Sequence, residues 1–134
     1  MTEIGRPPPH HASHDDGGSD EIDPYRDVTV ISKATDAVLS AAQVKGTLVL
    51  VTATATITLP PVVIGATVTI YSTTAAALMV DPDTNDRIVL NGVAGGNGKK
   101  VTSASGAGDF ITLIGDSADG WTVIGRSGTW TMES

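Results

Sequence analysis

The chain contains no cysteine. That excludes a disulfide framework, a thiolate zinc site and a cysteine nucleophile, and it leaves the redox compartment unread. Aromatic residues are nearly as scarce, with two Trp, two Tyr and one Phe in 134 residues. The apolar share therefore rests on Val, Ile, Leu and Ala. Such small side chains bury little area each, so a lone copy is expected to have a thin core, for which oligomerisation is a common remedy. Basic residues are also few. Eight Lys and Arg stand against 15 Asp and Glu, for a net charge of −7, and a nucleic-acid surface would need clustered cations. No apolar run approaches the roughly 20 residues of a membrane span, and no charged segment leading into an apolar one opens the chain. The expectation is a soluble protein with no secretory signal, no nucleic-acid partner and no membrane partner.

What the chain does contain is organised around residues 44–61, VKGTLVLVTATATITLPP. The run Leu48-Val49-Leu50-Val51 is apolar at every position, which predicts a strand covered on both faces. Ile57 and Leu59 alternate with Thr56 and Thr58, as in a half-buried strand. Pro60-Pro61 stop it, because neither can donate a ladder hydrogen bond. The remainder repeats this habit of a few β-formers, a turn, and a few more.

Residues 1–26 form a segment of different character. They hold Pro7-Pro8-Pro9, all three histidines and Gly17-Gly18, with almost nothing apolar. Glu3, Asp15, Asp16, Asp20, Glu21, Asp23, Asp27 and Asp36 place eight of the fifteen acidic residues within the first 36 positions. Alone, such a segment cannot bury enough surface to offset its backbone entropy. It reads as an extended acidic arm that needs a partner to hold it. Pro7 to Pro9 favour a polyproline II stretch.

Residues 27–134 read as one compact β domain. Short strands are expected at Val28–Ile31, Ala37–Leu39, Leu48–Val51, Ile57–Leu59, Thr67–Tyr71, Leu78–Val80 and Arg87–Leu90. Further strands are expected at Val101, at Phe110–Ile114 and at Trp121–Gly125, the last two joined by a hairpin turn over Asp116–Gly120. Ser40 can cap a single turn through Ala41, Ala42 and Gln43. Strands recurring every 8 to 12 residues mark a β-sandwich, barrel or β-helical prism. Helix content should be near zero.

The order LSAAQVKGTLVLV, TITLPP, GATVTIYS, DPDTNDRIVLNG and GDSADGWTVIGRSGTW resembles a recurrent virion module of tailed phages, over about residues 36–130. The module occurs in small head decoration proteins and in fibre or tailspike proteins. In the arm, His10-His11-Ala12-Ser13-His14 followed by Gly17-Gly18-Ser19-Asp20 is similar to a signature of phage fibre-like proteins, with Asp15-Asp16 in place of small residues. The resemblance implies a homotrimer.

Several patterns bear on chemistry. His10 and His14 with Asp15 or Asp16 have the donor types for a metal, and in a trimer one His from each copy could meet on the threefold axis; a solvated polar arm or a contact segment on a partner surface is the plainer reading. Asp81, Asp83, Asn85 and Asp86 open like a calcium loop, but Asp86 and Gly92 stand where Gly and Glu are needed. GVAGGNGKK, residues 92–100, misses the phosphate-loop pattern at Val93 and Lys100. These two read as a polar turn and a glycine-rich tip. Trp121 and Trp130 have the ring type of a sugar platform; the plainer expectation puts Trp121 in the core beside Phe110 and Trp130 against a neighbouring subunit. All three histidines lie in the arm, so no Ser/His/Asp set is framed. Asp116 and Asp119 share one turn and are expected to be exposed.

The expectation is therefore an all-β, trimeric, non-enzymatic virion structural protein without cofactor or resident metal. It would be a capsid decoration protein on the virion surface, its arm bound to the major capsid protein through Arg6, Pro7, Pro8, Pro9, Asp23 and Tyr25. The alternative is a tail fibre or adhesin module binding a host glycan at unassigned residues.

Overall fold

The computed structural model describes residues 28–134. Twelve strands occupy more than half of them: β1 (Thr29–Lys33), β2 (Ala37–Val38), β3 (Lys45–Val51), β4 (Ala55–Thr58), β5 (Thr67–Ser72), β6 (Leu78–Asp81), β7 (Arg87–Leu90), β8 (Val93–Ala94), β9 (Val101–Ser103), β10 (Phe110–Ser117), β11 (Gly120–Ser127) and β12 (Trp130–Met132). The only helical piece among the described residues is a 3-10 turn over Ala41–Val44. Gln43 Oε1 accepts the Ser40 N–H at 2.9 Å, which closes its first turn. The expectation of an all-β chain with almost no helix holds.

The strands form two mixed sheets. The larger runs β1-β3-β5-β10-β11-β7-β8 and the smaller β12-β9-β6-β4-β2. From β1 to β6 the chain crosses from one sheet to the other at every link. Each strand therefore re-enters its sheet in the same direction as before, and β1-β3-β5 and β2-β4-β6 pair in parallel. Thr29 lies beside Thr47 and Thr47 beside Val68. The coil advances roughly 20 residues per turn, the length at which solenoid repeats stack. After β6 the direction changes. The β10–β11 hairpin inserts antiparallel next to β5, and β7 pairs in parallel with β11 on its far side.

Alternation fills the space between the sheets. Val49, Val51, Val68, Ile70, Ile111, Leu113 and Trp121 from the larger sheet meet Ile57, Leu78, Val80 and Val101 from the smaller, all at 0–1 % exposure. Most inward positions are Val, Ile or Leu, the β-branched and aliphatic types that suit a pleated surface.

Several expectations need correction. Leu48 and Leu50 are half-buried while Val49 and Val51 are fully buried, so β3 has one core face and one outer face. Phe110 does not join Trp121 in the core. It sits on the outer face, stacked with Tyr71 at a centroid distance of 6.3 Å. The β10–β11 turn is only Ala118-Asp119, because both strands continue to Ser117 and Gly120. Trp130, expected against another subunit, is 6 % exposed in its own chain, and its indole N–H donates to the Ser127 carbonyl at 3.0 Å.

Candidate functional site

The residues expected to carry arm contacts, Arg6, Pro7, Pro8, Pro9, Asp23 and Tyr25, lie outside the described residues, as do His10 and His14 and the boundary at residue 26. The chain enters the described body at Val28, immediately before β1. That strand is the edge of the larger sheet.

The turn and loop motifs are tied into the fold by hydrogen bonds. In the Asp81–Asp86 turn, the Asp86 N–H reaches the Asp83 carbonyl at 2.9 Å and the Asn85 N–H reaches Asp83 Oδ2 at 3.2 Å. The Asp86 carboxylate points inward, 5 % exposed, and accepts the Val62 N–H at 2.9 Å. Asp81 is held above the ordinary carboxylate pKa, chiefly by burial; Lys100 opposes the shift and Glu133 adds to it. Among the described residues no group of three or more metal-ligating side chains comes together, and no helix is long and apolar enough to cross a membrane. The 92–100 loop folds back on the body: Gly95 N–H donates to the Ile88 carbonyl, and Gly95 lies against Met132.

Asp116 and Asp119 part company within the hairpin. Asp116 accepts hydrogen bonds from Thr122, Ser117 and Arg87, the last an ion pair at 3.3 Å. Burial would raise its pKa, but these hydrogen bonds outweigh it and hold the carboxyl below its ordinary value. Arg87 also donates to the Trp121 carbonyl at 3.2 Å, and its backbone N–H donates to the Asp119 carbonyl at 2.9 Å. Arg87 thus locks β7 to the hairpin.

What remains free is a face. Side chains pointing away from the core on β1, β3, β5 and β10 form cross-strand rows set by register. One row is Val30–Leu48–Thr69–Thr112; the next is Ser32–Leu50–Tyr71–Phe110–Ser127; a third joins Lys45 to Thr67, Ile114 and Thr122. Thr69 and Thr112 share a hydrogen bond of 2.8 Å at its centre. No position in the first two rows is charged; the charges on this side are Lys45, exposed at the end of the third row, and the Arg87–Asp116 pair at the hairpin corner. Val28 and Val30 are 61 % and 54 % exposed. A depression of ≈ 300 Å³ follows the face from Val28 past Leu48 and Thr69 to Thr112. It adjoins, at Gly46 and Thr67, a second of ≈ 530 Å³ edged by Val63, Ile64 and Lys45. Sequence reasoning missed this surface. Its signal was present in Thr67-Thr69-Tyr71 and Phe110-Thr112-Ile114, where the positions between core residues carry no charge.

No protein-family model, no curated protein and no solved structure matches this chain.

Proposed function

We propose that the chain is a non-enzymatic structural protein of a tailed-phage virion, a capsid decoration protein that works as a homotrimer. Its body is the two-sheet coil, of the β-sandwich or β-helical prism type, and its arm binds the major capsid protein lattice. The observation that carries this reading is the junction at Val28. A proline-containing, acid-rich segment of 27 residues runs directly into the edge strand of a rigid sheet, which suits a tether that reaches sideways from a compact body. The likeness of residues 36–130 to phage virion modules supports it.

The mechanism is mechanical. A trimer that binds only the assembled lattice stabilises that lattice by mass action. An acidic arm favours basic grooves between capsid subunits, and its affinity falls as salt screens the attraction. Removing residues 1–26 should leave a folded β body that no longer binds heads. Head binding by the truncated protein at full affinity would refute the reading.

The second reading, a tail fibre or adhesin module, draws on the exposed turn at Asn91-Gly92, where φ is positive at both residues and Val93 is 68 % exposed. An exposed turn of this kind is a place for a host glycan. Localising the protein on the virion separates the two: regular density over the head favours decoration, and label confined to the tail favours the adhesin.

A further inference from the structure

We infer that the outer face of the larger sheet, over β1, β3, β5 and β10, is covered by further copies of this same chain. The inference rests on the homotrimer reading above and names the surface through which it forms.

Two other occupants fit less well. The first 27 residues of the chain carry seven acids, Glu3, Asp15, Asp16, Asp20, Glu21, Asp23 and Asp27, and few apolar side chains. They do not complement a face made chiefly of Val, Leu, Thr, Tyr, Phe and Ile, with Lys45 at its margin. A partner of different sequence can answer a charge with its opposite, so its binding site has no reason to exclude charge. Copies related by rotation cannot do this at the symmetry axis. They bring the same residues, hence the same sign, to the symmetry axis, and like charges meeting there repel. A chain of net charge −7 that keeps two adjacent cross-strand rows uncharged, with Lys45 only at the end of the next, meets that condition.

The size is also suitable. Four strands at about 4.8 Å and five residues at about 3.3 Å give a projected face of roughly 300 Å². Side-chain relief takes the accessible area to several hundred Å² per copy, where apolar patches mark interaction sites, approaching the ~800 Å² per partner of a standard interface. The chemistry is suitable as well. Leu48, Leu50, Tyr71 and Phe110 supply apolar area, while the hydroxyls of Thr69 and Thr112 already share one hydrogen bond, which lowers the cost of covering them.

The test uses the full chain and light scattering coupled to size exclusion. Wild type should run at three times the 13.6 kDa chain mass. T69K/T112K should fall to the single-chain mass with an unchanged far-ultraviolet spectrum, and T102K, on the outer face of the smaller sheet, should stay trimeric. A trimeric T69K/T112K overturns the assignment of the face and leaves the trimer standing; a monomeric wild type overturns both. Should the double lysine variant unfold, single cysteines decide the matter, because the chain has none of its own. T69C should resist maleimide in the native protein while T102C reacts. Equal reactivity of the two overturns the inference.

Discussion

The Asp86 carboxylate accepts the backbone N–H of Val62 at 2.9 Å, and this bond joins the turn before β7 to the loop before β5. The two segments are far apart in sequence and belong to different parts of the topology. The carboxylate is 5 % exposed, so its removal leaves a donor with little access to water. D86A should lose about 1–3 kcal/mol of unfolding free energy, the cost of an unsatisfied buried donor. D86N, whose amide oxygen can still accept, should lose less. Urea unfolding of both variants checks the order.

The same loop leans on Gly115. A Cβ at that position would strike the Val63 carbonyl oxygen, and the Val62 side chain lies beside it at 2.9 Å. The backbones are also bonded: Gly65 N–H donates to Gly115 O, and Gly115 N–H to Ala66 O. The loop cannot retreat without breaking that pair. G115A should destabilise by about 2 kcal/mol as an overpacking substitution, and G125A, whose Cβ meets only Thr112 at 3.9 Å, should cost far less. Thermal unfolding of the two side by side is the measurement.

Asp116 predicts an acid-side dependence. Its pKa in the folded chain lies below the ordinary value, so the unfolded chain binds its proton more readily. The associated stability is complete above the unfolded carboxylate pKa of about 4 and is lost as pH falls through the lowered folded value. The stability gap between wild type and D116A should hold steady from pH 7 to about 5 and narrow at lower pH. A gap independent of pH down to acid unfolding would contradict the role given to the Arg87, Thr122 and Ser117 hydrogen bonds.

Asp81 predicts the opposite sign. Its folded pKa is raised, with burial the leading cause, so the folded chain binds the proton more readily than the unfolded one. The ionised carboxylate costs stability above the folded pKa, and the cost disappears as pH falls below the unfolded value. D81N should unfold at a slightly higher temperature than wild type at pH 7 and at the same temperature in acid. Loss of the favourable Lys100 attraction limits the gain.

Much of the fold was legible because one rule is local. Side chains on a strand alternate, so Thr67–Tyr71, Leu78–Val80, Arg87–Leu90 and Phe110–Ile114 announced both their conformation and the residues that point inward. Turn chemistry announced Asp81–Asp86 and Asn91-Gly92. The rule misled where every position was apolar: in Leu48–Val51 it suggested two covered faces, and the described structure covers one. It failed for Trp130, whose strand is three residues long and whose burial depends on β9 arriving beside it.

The arrangement of pairs was beyond local reading. Nothing in Arg87–Leu90 says that it joins β11 in preference to β5, or that the β10–β11 hairpin separates them. Those choices follow from hydrogen bonds and packing between residues distant in sequence. The same holds for Asp86, which sequence placed in a polar turn and the fold placed on Val62. It holds too for the uncharged rows of the outer face, which exist only once register sets Leu48 beside Thr69 and Thr69 beside Thr112. Alternation along the chain determined which residues face inward. Only the tertiary structure decided which neighbours they meet, because pairing partners are selected by long-range backbone bonds that a local pattern does not encode.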